Sequence, residues 1–203
     1  LVDRLSVIAV HNGCEVIICV NKVDVERQAR IPEIYANTGF RIIPTSAETG
    51  EGIEQLRQAV AGKLCAFTGD SGVGKSSILN ALNPAFSLRV GQVSDKLGRG
   101  RHTTRHVELF DLGDGTYVID TPGFASFDME AVEPVRCKQL QEDFPEFAPY
   151  LGQCRFQDCD HLKEPDCAVR AAVENGQIHP KRYRSYEMMY ADASRYKEWE
   201  LKN

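Results

Sequence analysis

Eight consecutive residues constrain this chain more than any others: Gly69-Asp70-Ser71-Gly72-Val73-Gly74-Lys75-Ser76. They satisfy G-x-x-x-x-G-K-[ST], a loop that cradles phosphates between a strand and a helix. Both flanks supply that setting. Leu64-Cys65-Ala66-Phe67-Thr68 reads as a buried strand, and Ser76 to Leu82 as a helix with Ile78, Leu79 and Leu82 on one face. The glycines let backbone N–H groups close around phosphate oxygens, and the helix N-terminus adds partial positive charge. Lys75 is then placed for the β- and γ-phosphates, Ser76 offers its hydroxyl to Mg²⁺, and Ser77 extends the phosphate-facing turn. The fold class that follows is α/β, with a mainly parallel sheet flanked by helices.

Upstream, Leu1, Leu5 and Ile8 mark one face of a helix that Asn12-Gly13 stops. Cys14 to Val20 reads as a buried strand and runs into Asn21-Lys22-Val23-Asp24. In α/β proteins ligand-binding residues sit just past strand C-terminal ends, where this tetrapeptide falls. It resembles the N-x-x-D guanine-specificity motif of GTPases in its N-K-x-D form. A carboxylate at Asp24 accepts from guanine N1–H and the N2 amine, whereas adenine leaves it unpaired. Asn21 is suited either to bond the base edge or to tie loops together, and the Lys22 stem to cover the ring. After a short helix around Glu33 to Asn37, the strand Phe40 to Ile43 leads into Thr45-Ser46-Ala47. That stretch resembles the S-A-x motif, which braces the base through backbone N–H groups. Ile53, Leu56 and Val60 mark a helix before the phosphate loop.

Beyond the loop, the strand Tyr117-Val118-Ile119 ends in Asp120-Thr121-Pro122-Gly123, which resembles D-x-x-G. There the Asp holds Mg²⁺ through water and the Gly N–H senses the γ-phosphate. Gly98 to Thr104 has the character of a mobile, basic switch loop, with Thr103 or Thr104 completing the Mg²⁺ shell. In ordinary GTPases the phosphate loop precedes the base motifs. Here Asn21 to Asp24 and Ser46-Ala47 come first, so the chain reads as circularly permuted, which is tolerable where domain termini lie close together.

Past Phe127 the composition turns to Pro, acidic and aromatic residues in helical segments. Cys154-x4-Cys159-x-His161-x5-Cys167 then places three thiols and one imidazole within 14 residues. That donor set suits a closed tetrahedral Zn²⁺ site of structural role, one ion per chain. Seven cysteines, an odd number, with no visible signal peptide, favour a reducing compartment. The other four, Cys14, Cys19, Cys65 and Cys137, read as buried hydrophobes. The domains expected are 1–128 for nucleotide and a small, mostly helical 129–203 for zinc. Ala168 to Glu174 and Tyr183 to Arg195 supply helices. The net charge of −5 gives no global case for nucleic acid, so any contact must use local patches: Arg99/Arg101/Arg105 and Lys181/Arg182/Arg184. No apolar run approaches the roughly 20 residues of a membrane span.

Taken together, the permuted order, Gly100-Arg101-His102-Thr103-Thr104, Asp120-Thr121-Pro122-Gly123-Phe124 and the cysteine–histidine cluster resemble the RsgA/YjeQ family of circularly permuted small-ribosomal-subunit biogenesis GTPases. The resemblance covers nearly the whole chain. It implies a cytoplasmic GTP hydrolase, GTP to GDP and phosphate, that binds the 30S subunit and 16S rRNA. The subunit would stimulate hydrolysis, and hydrolysis would time release after late maturation. It implies a monomer with no membrane partner. The family carries an N-terminal OB-fold that is missing here, which fits a chain opening on Leu rather than Met as a fragment. It also implies that Phe124 stands where other GTPases place a water-orienting glutamine, and that His102 does that work; a phosphate-backbone contact on RNA is the other role for His102. The competing reading is a zinc-finger RNA-binding module whose nucleotide site is mainly structural or regulatory.

Overall fold

A computed structural model describes residues 1–27, 30–86, 88, 108–120 and 136–195. They fall into two compact units. One gathers Leu1–Ile18, Ala29–Arg41 and Glu130–Asn203, the other Cys19–Gln28 and Ile42–Met129. The division falls inside two paired strands, β1 (Ile17–Val20) and β2 (Arg41–Pro44).

In the first unit α1 (Val2–His11) ends as the Asn12-Gly13 pair requires. Gly13 takes φ +68 and donates to Val10 O, and Cys14 N–H reaches back to Ala9 O at 2.8 Å. That last bond keeps Cys14 on the helix, so the strand begins only at Ile17, three residues later than its apolar run suggests. Next comes α2 (Arg30–Ile34), ahead of the expected Glu33–Asn37. Of the helical segments expected past Phe127, the described residues show a short α5 (Cys137–Leu140) followed by 3-10 turns at Gln141–Asp143 and Pro145–Tyr150, with Pro145 opening the second turn and Pro149 inside it. Helices α6 (Ala168–Glu174) and α7 (Pro180–Ala193) follow. The latter starts three residues earlier than expected because His179 caps it, its ring nitrogen accepting from Lys181 N–H, with Pro180 in the first turn. The core of this unit joins Val7, Leu140, Phe144, Phe147, Ile178 and Tyr186.

One buried cation organises that core. Arg182 is 0% exposed. Its guanidinium donates to Glu146 Oε1 at 2.7 Å and to Asp3 Oδ1 at 2.6 Å, and lies 4.7 Å from the Phe144 ring centre and 5.3 Å from that of Tyr35. Asp3 also accepts from Tyr35 Oη and Ser185 Oγ. Burial opposes the charge on Asp3, but these hydrogen bonds and the guanidinium outweigh it and hold its pKa below the usual carboxylate value. Arg182 therefore leaves the basic patch expected of Lys181, Arg182 and Arg184; only Lys181 and Arg184 are exposed.

In the second unit β3 (Leu64–Phe67) pairs parallel to β5 (Thr116–Asp120), and β4 (Glu108–Gly113), unforeseen in the sequence, adds an antiparallel edge. The helices are α3 (Ile53–Val60) and α4 (Lys75–Leu82). The sheet buries one face: Val118 is inaccessible, and Phe86, just beyond α4, packs 4.9 Å from the Phe110 ring. The other face, with Leu64, Leu109 and Tyr117, is exposed, so β3 is a half-buried strand rather than the fully buried one its apolar run suggests. The four extra cysteines also depart from expectation. Cys14 and Cys19 are exposed, and Cys65 and Cys137 are half-buried, since each lies at an element end or a half-covered face.

Candidate nucleotide site and metal centre

The register between β3 and β5 sets up the nucleotide site. Phe67 pairs with Asp120, so the two neighbouring parallel strands end at the same level, with the phosphate loop leaving β3 there. The phosphate loop itself turns on Gly72 and Gly74, and Gly74, at φ +96, caps α4. A Cβ on Gly74 would collide with the Asn21 amide nitrogen, so the loop needs glycine there for close approach as well as for its backbone angle.

Asn21 and Lys22 explain that approach. Asn21 Nδ2 donates to Val73 O at 2.9 Å, while Asn21 Oδ1 accepts from Ala47 N–H at 3.4 Å. One side chain thus ties the end of β1 both to the phosphate loop and to the Ser46-Ala47 turn, which is the loop-tying of the two roles open to it. Lys22, at φ +64, donates from Nζ to Gly72 O at 2.8 Å. A non-glycine residue in that region is uncommon, and here it turns the Lys22 stem onto the phosphate loop. Lys75 Nζ donates to Gly69 O and Asp70 O at 2.7 and 2.8 Å. Four carbonyls of the loop are therefore held by two ammonium groups and an amide. The loop's N–H groups are the donors suited to an anion.

The Ser46 turn is built tightly. Ser46 is buried, its Oγ accepts from Thr49 N–H, and its N–H bonds Glu51 O. Thr45 N–H continues the link to Val20 O at 2.8 Å, and Val23 N–H bonds Thr45 O. Val23 is buried beneath this loop while Asp24 is exposed. Ser76 and Ser77, half-buried, lie in the first turn of α4. His102, Thr103, Thr104, Gly123 and Phe124, with Arg99, Arg101 and Arg105, lie outside the described residues.

The second cluster is Cys154, Cys159, His161 and Cys167, whose donor atoms all lie within 4.8 Å of one another. The Cys154–Cys167 sulfur separation is 3.8 Å, and His161 Nδ1 lies 3.5 and 3.3 Å from the two sulfurs. With Zn–S of about 2.3 Å and Zn–N of about 2.05 Å, a tetrahedron has edges of about 3.8 Å between sulfurs and about 3.6 Å between sulfur and nitrogen. The donor set and spacing fit a zinc ion. His161 Nε2–H donates to Gln141 Oε1 at 2.8 Å, which fixes Nδ1 as the free nitrogen, and Ala168 N–H donates to Cys154 Sγ at 3.3 Å. Burial lowers the His161 pKa, keeping the imidazole neutral, and pushes the Cys159 thiol up to about 12. A dication would reverse the latter, because coordination deprotonates a thiol. Gln141 and Glu164 were not legible as participants. Glu164 carried a weak signal in its place between two ligands; Gln141, 20 residues from His161, carried none.

Comparison with known proteins decides what these two sites belong to. The RsgA GTPase family model matches residues 1–130. The chain belongs to the RsgA GTPase family. A relative from Moorella thermoacetica, a small ribosomal subunit biogenesis GTPase RsgA, is 47% identical over 194 residues, spanning 95% of this chain and 66% of the relative. The crystal structure of YjeQ from Thermotoga maritima superposes with a TM-score of 0.78 at 36% identity, covering 97% of this chain and 66% of that one. The structure of YloQ, described as a circularly permuted GTPase, gives 0.72 at 32% identity, covering 97% and 63%. This RsgA-family chain thus spans about two thirds of the length of the relatives it matches. The permuted fold expected from motif order is the fold found. No helix among the described residues is long and apolar enough to cross a membrane.

Proposed function

We propose that this chain binds GTP and hydrolyses it to GDP and phosphate, and that it acts in the cytoplasm as a monomer on the 30S ribosomal subunit, contacting 16S rRNA. The observation that carries the guanine reading is Asn21, which joins the phosphate loop at Val73 O to the base-bracing turn at Ala47 N–H. That single side chain links the phosphate loop to the turn proposed to brace the base, a link that a phosphate loop alone does not need. Asp24 then accepts from the guanine N1–H and N2 amine, the Lys22 stem covers the ring, and the Ser46-Ala47 turn braces the base edge. Gly69 to Ser77 cradles the phosphates, and Lys75 exchanges its carbonyl partners for phosphate oxygens.

Ser76, with Thr103 or Thr104, would hold Mg²⁺, which when bound neutralises charge on the phosphate oxygens. His102 orients the attacking water through one imidazole nitrogen. As the water oxygen bonds to the γ-phosphorus, the bond to the β-bridging oxygen breaks, GDP leaves with that electron pair, a water proton passes to a phosphate oxygen, and Gly123 N–H would lose its γ-phosphate contact. Phe124 would supply an apolar side chain where other GTPases place a water-orienting glutamine. Residues 1–128 carry this chemistry, and 129–203 form the zinc-binding domain, held by Cys154, Cys159, His161 and Cys167. The name borne by the relatives supports the ribosomal partner.

The test is GTP turnover by the full chain, with and without purified 30S subunits. Stimulation by 30S, and its loss in His102→Ala with GTP affinity retained, is the expected result. Absence of GTP hydrolysis in both conditions overturns the proposal.

A further inference from the structure

The turn that carries two of the four metal ligands is clamped on both its polar faces. His161 sits at φ +59, a conformation that a residue with a Cβ adopts only when its surroundings impose it. The residues on either side of it show what imposes it. Glu164 Oε2 accepts from Leu162 N–H at 2.9 Å and Lys163 N–H at 3.0 Å, and Glu164 Oε1 accepts from Asp160 N–H at 3.3 Å. The opposite polarity is satisfied from α7. Tyr186 Oη donates to Asp160 O at 2.9 Å, and Tyr183 Oη donates to His161 O at 2.6 Å. The Glu164 main chain is itself anchored, its carbonyl accepting from Arg170 Nη1.

We infer that Glu164 is a positioning residue for the metal centre, its carboxylate closing the Cys159-Asp160-His161 turn into a metal-ready shape before any ion arrives. The inference rests on the zinc reading of the cluster. Glu164 is not a ligand: its oxygens are committed to backbone N–H groups, and the four donors that converge are those of Cys154, Cys159, His161 and Cys167. A further carboxylate ligand would also add charge to a site that already carries three thiolates. The three donors lie on both sides of His161, so one side chain fixes the backbone through the ligand rather than at one end of it. The tyrosine hydroxyls hold carbonyls, which water can also satisfy at lower cost in shape. The carboxylate gathers three N–H groups from one turn at once, and no single water accepts from all three with the same geometry.

The test uses the full chain, wild type and Glu164→Ala and Glu164→Gln variants. Zinc affinity is read by competition with a chromophoric chelator, and site geometry by the visible absorption of the cobalt-substituted chain. Outer partners of ligands typically contribute about 10- to 100-fold to metal affinity. Glu164→Ala should lose affinity in that range. Glu164→Gln, which keeps one acceptor oxygen, should lose less. Cobalt absorption of the Ala variant should weaken or shift, while far-ultraviolet circular dichroism at saturating zinc matches wild type. A Glu164→Ala chain with wild-type zinc affinity and an unaltered cobalt spectrum overturns the inference while leaving the zinc site intact. If Glu164→Ala fails to fold, Glu164→Gln decides: wild-type affinity and spectrum in that variant have the same overturning effect. A wild-type chain that takes up no zinc overturns the metal reading and this inference with it.

Discussion

Replacing Arg182 with Met keeps an unbranched apolar side chain and removes the guanidinium, with its charge, its hydrogen bonds to Glu146 and Asp3 and its stacking on Phe144 and Tyr35. The two carboxylates that lose it are not equally exposed. Asp3 is 25% exposed at its side chain and keeps two hydroxyl donors, from Tyr35 and Ser185. Glu146 is 2% exposed, and its side chain has no other ion pair among the described residues. The cost therefore concentrates at Glu146, left as a buried carboxylate without a counter-charge, at about 3–5 kcal/mol. At roughly 2–4 °C per kcal/mol for a chain of this size, the melting temperature should fall by about 6–20 °C. Thermal denaturation followed by far-ultraviolet circular dichroism reads this directly.

The pH dependence carries the sign of the argument. In the wild type the Asp3 pKa is depressed, so its contribution is full at neutral pH and is lost as pH falls through the folded-state value. In the Arg182→Met variant Asp3 has lost that guanidinium, so less of this acid-labile contribution remains to be lost. The gap between the two proteins should therefore narrow on acidification. Adding Glu146→Leu should restore much of the loss at neutral pH, since an apolar pair of similar volume replaces a buried ion pair at little cost. A single variant melting within about 2 °C of wild type, or a double variant no better than the single one, would refute the reasoning.

Three expectations concern the nucleotide site. Asp24→Asn should shift preference from GTP towards xanthosine triphosphate, read by competition with a fluorescent analogue; unchanged selectivity would remove Asp24 from the base edge. Gly74→Ala should weaken GTP binding about tenfold, since the φ of +96 costs a Cβ roughly 1–2 kcal/mol and the new methyl meets Asn21; equal affinity by the same titration would show that the loop relaxes freely. Lys75→Ala removes a cation bound to two loop carbonyls and placed for the phosphates, so affinity should fall about a hundredfold. Calorimetry with GTP and with guanosine separates that loss from base recognition, which the variant should retain.

Much of this molecule was readable in one dimension because its chemistry is local. The phosphate loop is eight adjacent residues whose backbone makes the site, and its strand and helix follow within a few positions. The metal donors span 14 residues, and their identities alone restrict what binds them. Motif order needs no geometry at all, so the permutation was visible at once. The elements misplaced were those decided by partners distant in sequence. Strand β4, with Asp111 among its apolar residues and the Asp114-Gly115 turn just past its end, exists because β5 offers an edge to pair with. Its half-open sheet face likewise depends on which helices pack there, which no run of apolar residues specifies.

Arg182 is the clearest case of the limit. Flanked by Lys181 and Arg184 in a helix rich in polar residues, it has the local pattern of a solvated basic face. A helix advances about 100° per residue, so Lys181 and Arg184 point elsewhere, and of the three Arg182 alone faces the core. Whether that costs the protein or stabilises it depends on Asp3 and Glu146, which lie 179 and 36 residues away. The same distance separates kinds of residue at the metal centre. The ligands announce themselves by type and spacing, whereas Gln141 and Glu164 are ordinary polar residues that gain a role only once the chain has placed the His161 ring and its neighbouring amides beside them. Sites are thus legible when the ligand chemistry is carried by the residues themselves, and illegible when it is carried by what orients them. For that reason the variants most informative about this chain are Arg182→Met and Glu164→Ala, which leave every recognisable motif unchanged.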